Sequence, residues 1–215
     1  MIGVYDYTVI ATYLASILGL FGIFTAIDGQ ILPAIFCLLL SGLLDSVDGR
    51  IARTKKNRSD QEKRFGIQID SLNDIICFGV LPAATGYCLC RSWTNGAVPV
   101  WVCASLCFFM LTGLIRLAFF NVTEEERQQQ TGDKRHYYLG LPITSSTLIF
   151  PFLYLLSLLL PAARMAILVI GMVANGLLYI TPVHIKKPRL WAIIAMSCVG
   201  AAELAGLILV ILKVL

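Results

Sequence analysis

Long apolar runs alternate with short polar connections along this chain, and most runs are wide enough to cross a bilayer. Hydropathy and chain breakers predict seven segments, at about 8–27, 30–51, 67–90, 98–121, 140–160, 164–183 and 190–212. Connections as short as Asp28-Gly29 and Pro161-Ala162-Ala163 suit helical hairpins better than barrel strands. The stretch from Arg91 to Val98, which holds Asn95-Gly96 and precedes Pro99, reads as a turn, as does Pro182–Pro188. The expected fold is therefore all-α: a polytopic membrane bundle of about six to seven transmembrane helices, forming one domain over residues 1–215.

Composition sharpens this picture. Of 215 residues, 58% are hydrophobic and 14% charged, against about 25% charged in a soluble domain. Residues 1–7 carry no basic n-region and no small-residue cleavage site follows, so the first run is expected to remain as a span. Cys37, Cys77, Cys88, Cys90, Cys103, Cys107 and Cys198 fall in apolar segments without a CxxC pair or a nearby histidine, as small buried hydrophobes do.

Charge orients the bundle. Arg50, Arg53, Lys55, Lys56, Arg58, Lys63 and Arg64 surround the connection after the second segment. Arg127, Lys134 and Arg135 follow the fourth segment, and Lys186, Lys187 and Arg189 the sixth, while the opposite side has only Arg91, Arg164 and Lys213. The positive-inside rule makes the first set cytoplasmic, together with the N-terminus. A plasma-membrane location is the expectation. The net charge of +4 is thus mostly a topology signal; the basic residues are split among short loops, which argues against a nucleic-acid partner.

Four aspartates interrupt this apolar plan. The second segment ends in Asp45-Ser46-Val47-Asp48-Gly49-Arg50-Ile51-Ala52-Arg53, and the third begins Gly66-Ile67-Gln68-Ile69-Asp70-Ser71-Leu72-Asn73-Asp74. A carboxylate in a membrane helix costs about 2.5–3.5 kcal/mol, so four represent roughly 10–14 kcal/mol that something must offset. Asp45 and Asp48 share a helix face, as do Asp70 and Asp74, so the two pairs can converge at the cytoplasmic ends of helices two and three. All-oxygen ligation suits a hard divalent cation, Mg²⁺ or Mn²⁺, with Ca²⁺ as an alternative occupant, and four carboxylates have capacity for two ions. Such clusters serve phosphoryl-group chemistry. Gly49 and Gly66 leave room for close approach, and Arg53 is near enough to counter a phosphate.

The pattern Asp45-xx-Asp48-Gly49-xx-Ala52-Arg53, then Gly66-xxx-Asp70-xxx-Asp74, resembles the signature of the CDP-alcohol phosphatidyltransferase family. One interval departs from it: Thr54–Phe65 is four residues longer than the family usually has. Phe65-Gly66, Ile69-Asp70-Ser71-Leu72, Cys77-Phe78-Gly79-Val80-Leu81-Pro82-Ala83, Arg116-Leu117-Ala118-Phe119-Phe120-Asn121-Val122 and Gly140-Leu141-Pro142-Ile143 are similar to integral-membrane phosphatidylserine synthases. The likeness falters at Thr144-Ser145-Ser146. The resemblance implies that CDP-diacylglycerol passes its phosphatidyl group to L-serine with release of CMP. It further implies that Asp45, Asp48 and Asp70 hold metal and that Asp74 is the general base, with a share in a second metal. Gly49, Ala52, Arg53 and Gly66 would line the CDP-lipid site, and the enzyme would be a homodimer in contact with membrane lipid.

Arg116, inside an apolar run, is the candidate clamp for the serine carboxylate or a phosphate, against a snorkelling arginine. Asn73 and Ser71 are candidates to orient ligands, while His136 and His184 read as solvated loop residues and Glu124–Glu126 as a solvated loop. Trp93, Trp101 and Tyr87 read as aromatic anchors of the outer boundary. Two rival readings stand beside serine transfer. Another acceptor, glycerol 3-phosphate or an inositol phosphate, would want a dedicated basic cluster. A cation-coupled transporter also places carboxylates in a membrane, although no inverted repeat is visible here.

Overall fold

The computed structural model describes residues 2–130, 137–186 and 190–212; Lys134, Arg135, His136, Lys187, Arg189 and Lys213 lie outside the described residues. Each predicted apolar segment is helical. The helices are α1 (Tyr7–Ile27), α2 (Ile31–Thr54), α3 (Asp60–Asp74), α4 (Leu81–Trp93), α5 (Val100–Gln130), α6 (Ser146–Leu159), α7 (Arg164–Ile180) and α8 (Leu190–Ile211). α3 runs into α4 through a π-helical turn, Ile75–Val80. Among the described residues, five helical stretches are long and apolar enough to cross a membrane: Tyr7–Ile27, Ile31–Thr54, Asp60–Trp93, Val100–Arg127 and Pro161–Ile180. Two shorter apolar helices, Ile143–Leu159 and Met196–Ile211, accompany them. This is an integral membrane protein of the all-α class.

The chain packs as two compact units, Met1–Leu89 and Cys90–Leu215. In the first, α1 is the wedge. Its buried stripe Ala11, Ala15, Gly19, Gly22 and Ala26 is small throughout, which lets neighbouring backbones approach. A Cβ on Gly22 would stand 2.8 Å from Cys37 Cβ of α2 and 2.9 Å from Leu81 Cδ1 of α4. One on Gly19 would stand 2.7 Å from Cys77 Sγ in the π turn. α1 therefore packs on α2, on α3 and on the π turn at once. The π turn ends at Val80, and its widened pitch is carried by the Leu81 N–H, which reaches back five residues to Ile76 O.

In the second unit α7 packs on α5 and α6, and α8 on α6. Gly176 is the contact point on α7, where a Cβ would lie 2.8 Å from Thr112 Oγ1 and 3.2 Å from Phe109 Cα. Gly140 adopts φ +73°, and a Cβ there would meet Tyr179 O at 2.5 Å, so only glycine fits this corner.

Three local features differ from the sequence expectation. α3 starts at Asp60, well inside the charged stretch read as a loop, because Ser59 and Glu62 form a reciprocal capping box. α5 continues through Asn121 and Glu124–Glu126, with Arg127 Nη2 paired to Glu124 Oε1 at 2.5 Å one turn away. The connection after α7 is not only a turn: β2 (His184–Lys186) pairs antiparallel with β1 (Tyr137–Leu139), Tyr138 opposite Ile185. Of the cysteines, Cys37, Cys77 and Cys90 are buried as expected, whereas Cys107 and Cys198 face outward, where an apolar thiol suits lipid.

Candidate active site

The first unit gathers the four aspartates. One carboxylate oxygen from each of Asp45, Asp70 and Asp74 lies within 4.8 Å of the others. Asp48 adjoins Asp70, and Asp45 adjoins Asp74, at hydrogen-bonding range. Asp48 and Asp74 are buried, 7% and 9% exposed. The i, i+3 spacing on α2 and the i, i+4 spacing on α3 aim both pairs into one space, as the sequence implied.

α1 supplies the third wall. Thr12 Oγ1 donates to Asp48 Oδ2 at 3.2 Å, and Ser16 Oγ donates to Asn73 Oδ1 at 2.7 Å. At the head of the same helix, Asp6 caps α1 by accepting from the Thr8 N–H at 2.9 Å, and the Thr8 hydroxyl also donates to it. Thr8, Thr12 and Ser16 thus form a four-residue-spaced hydroxyl stripe facing the aspartate helices. Sequence reasoning passed over it; the signal was the regular spacing of hydroxyls on one face of an otherwise apolar helix.

Several polar atoms here lack a protein partner. Asp70 Oδ1, Asp74 Oδ1 and Asn73 Nδ2 are buried without a hydrogen bond. Two unit charges 4 Å apart interact by about 4 kcal/mol at an effective dielectric of 20, so four converging carboxylates need a compensating cation. Among the described residues no lysine or arginine pairs with Asp45, Asp48, Asp70 or Asp74. The all-oxygen donor set and the orphaned oxygens fit a hard divalent ion.

A cleft lined by Thr12, Asp48, Gly49, Ala52, Arg53, Gly66 and Asp70 opens beside the cluster. Arg53 lies over Gly49, its Nη1 at an ordinary contact distance of 3.5 Å from where a Cβ would stand. Arg58 and Lys63, which sequence reasoning read only as topology charges, line the same cleft. Every residue expected from the motif is therefore brought to this cleft or to the carboxylate cluster beside it.

Arg116 belongs to the second unit. It is 9% exposed on α5, with its guanidinium carbon 5.3 Å from the centre of the Phe120 ring.

Residues 8–177 match a protein family described as CDP-alcohol phosphatidyltransferase. The chain belongs to that family. Its curated relatives include a CDP-diacylglycerol–serine O-phosphatidyltransferase of Helicobacter pylori, 34% identical over 61% of this chain and 50% of that one. The enzyme of the same name from Saccharomyces cerevisiae is 39% identical over 52% of this chain and 37% of its own. An archaetidylserine synthase of Methanothermobacter thermautotrophicus is 35% identical over 64% of this chain and 52% of its own. The chain spans about half the length of the curated relatives it matches, or less. For a CDP-alcohol phosphatidyltransferase, the aspartate cluster, the α1 hydroxyls, the glycine-lined cleft and Arg116 all fall inside the matched residues.

Proposed function

We propose that this chain transfers a phosphatidyl group from CDP-diacylglycerol to L-serine, giving phosphatidylserine and CMP. The observation that carries the reading is the convergence of Asp45, Asp70 and Asp74, with orphaned buried oxygens, in a member of this family. Serine as acceptor is supported by the activity for which these relatives are named. Residues 1–215 act as one catalytic membrane domain in this reading, since the family match crosses both compact units.

Asp45, Asp48 and Asp70 would hold a divalent ion, Mg²⁺ or Mn²⁺, with Asp74 sharing a second. Bound there, such an ion supplies charge neutralisation for the diphosphate and the leaving CMP. The chain's own residues do the rest. Arg53, with the backbone around Gly49 and Gly66, holds the diphosphate in the cleft. The serine hydroxyl is a poor nucleophile at neutral pH, and Asp74 accepts its proton. The serine Oγ–phosphorus bond forms at the diacylglycerol-bearing phosphorus as the bond from that phosphorus to the CMP oxygen breaks. CMP departs with that electron pair. Thr12 and Ser16 orient Asp48 and Asn73 during this step.

The basic residues around the α2–α3 connection support a cytoplasmic active site, where soluble serine meets a lipid substrate; in this reading the membrane is the plasma membrane. The working unit is a homodimer. One observation favours a second acceptor class: with Arg53, Arg58 and Lys63 the cleft is more basic than the motif alone supplies, which suits a phosphorylated alcohol.

Release of CMP from CDP-diacylglycerol by purified protein with Mn²⁺ tests the proposal. Serine-dependent release, abolished by chelator, is expected. Release with glycerol 3-phosphate but not serine would change the acceptor, and silence with every alcohol would reject the reaction.

A further inference from the structure

The longer α2–α3 connection carries an arginine that the signature does not include. Arg58 immediately precedes Ser59, whose side chain caps α3 by accepting from the Glu62 N–H at 3.1 Å. That capping box fixes how the chain enters α3, and Arg58 folds back along the helix. Its Nη2 donates to Glu62 O at 3.2 Å and lies 2.7 Å from the place a Gly66 Cβ would take. Glu62, Gly66, Asp70 and Asp74 are spaced by four on α3, so they form one stripe. Gly66 is a gap in that stripe, and the guanidinium lies over it.

A structural role explains this placement poorly. A cation over the first turns of a helix opposes the helix dipole. Glu62, the nearest acid on the stripe, is already engaged by Lys55 Nζ and by the Ser59 N–H, each at 2.7 Å. Among the described residues no carboxylate pairs with Arg58. Its Nε is buried without a hydrogen-bond partner. A guanidinium offers five donors in a fixed fork, and the structure gives Arg58 one main-chain acceptor. The cleft it lines also holds Arg53, Asp48 and Asp70. Of the two motif glycines, Gly66 leaves the room that the Arg58 guanidinium takes, while Arg53 lies over Gly49 at ordinary contact distance.

We propose that Arg58 is a second phosphoanion-binding residue that, with Arg53, holds the diphosphate of the CDP-lipid. This rests on the phosphatidyl-transfer reading above. It also assigns the long connection a role: Lys55, by binding Asp6 and Glu62, keeps Glu62 from neutralising Arg58.

Wild type, Arg58→Ala, Arg58→Lys and Gly66→Ala are compared in detergent micelles for thermal stability, for KM of CDP-diacylglycerol and of serine, and for inhibition by CMP and by cytidine. Loss of charge-assisted hydrogen bonds in Arg58→Ala is expected to raise the CDP-diacylglycerol KM and weaken CMP inhibition about tenfold or more. Cytidine inhibition and the serine KM stay as in wild type, because neither involves the diphosphate. Arg58→Lys recovers part of the loss, and Gly66→Ala, which makes the flexible end of Arg58 shift, gives a smaller change in the same direction as Arg58→Ala. A folded Arg58→Ala protein with unchanged CDP-lipid KM and CMP inhibition overturns the proposal. So does an equal loss for cytidine and CMP, which would mark a structural role, or a shift in the KM of the acceptor alone. An effect that appears only when anionic phosphatidylglycerol is added to the micelles would assign Arg58 to the lipid surface and overturn it as well. A wild-type chain that neither binds CMP nor consumes CDP-diacylglycerol removes the parent reading, and this one with it.

Discussion

In the second unit, the Tyr179 hydroxyl donates to Ile143 O at 3.1 Å and accepts from the Asn175 amide at 3.1 Å. Ser145 Oγ reaches Asn175 Oδ1 at 3.5 Å, which closes a small network between the start of α6 and α7. In the first unit, Asp70 and Asp74 each keep a buried oxygen without a hydrogen-bond partner among the described residues, and Asn73 a buried amide nitrogen. Both units bury polar groups in apolar helices, where an unmade hydrogen bond is expensive. Satisfied polarity of the Tyr179 kind fixes how helices pack. Unsatisfied polarity of the Asp70 kind marks where something else must bind. Glu203 on α8 also buries both carboxyl oxygens unpartnered, but it stands apart: among the described residues no cluster of ligands includes it.

Substitution should separate these two kinds of buried polar group. The largest effect is expected for Asp74→Asn. If Asp74 is the base, CMP release falls by about 10²–10⁴, while thermal stability stays near wild type because a repulsive carboxylate has been removed. Tyr179→Phe should do the reverse. It leaves Ile143 O and the Asn175 amide short of a partner, so it lowers stability by about 1–3 kcal/mol in detergent denaturation while kcat is retained at low temperature. A Tyr179→Phe protein that is stable but inactive would break the division between structural and functional polarity.

A smaller effect concerns the ionic clasp on the first unit. The Lys55 ammonium, 2.7 Å from Asp6, is the main reason the Asp6 carboxyl titrates at about 2 rather than near the ordinary value of 3.8. A lowered folded pKa stabilises the native chain above the unfolded value, and that contribution disappears as pH falls from about 4 through about 2. Lys55→Met is expected to bring the Asp6 titration back up towards 3.8, read by carboxyl NMR, and to flatten this acid limb of stability. An unmoved Asp6 titration would show that the Thr8 hydrogen bonds alone hold it down.

The contrast between the units also explains what the sequence revealed. Asp45, Asp48, Asp70 and Asp74 were legible because charges in apolar segments are conspicuous and their spacing fixes a face. Thr12 and Ser16 were not, since hydroxyls in apolar helices usually bond their own backbone, as Ser16 Oγ also does to Thr12 O at 3.0 Å, and only tertiary packing brings these two to Asp48 and Asn73. Arg58 was hidden among neighbouring cations; what distinguishes it is a fold-back onto Gly66 that no local pattern encodes. The helix boundary at Ser59 could have been read from its Ser-x-x-Glu sequence, but the density of charge there suggested a loop. β1 and β2, three residues each and distant in sequence, carry too little pattern to be seen at all.

The central claim is that the first unit's unpartnered carboxylates form a divalent-cation site. Titration of purified protein with Mn²⁺, followed by EPR of the free ion, measures this without substrate or turnover. Saturable binding in wild type and in Glu203→Gln, lost in Asp45→Asn and Asp70→Asn, is the predicted result. Binding that persists in both aspartate variants, or is lost in Glu203→Gln, would contradict it.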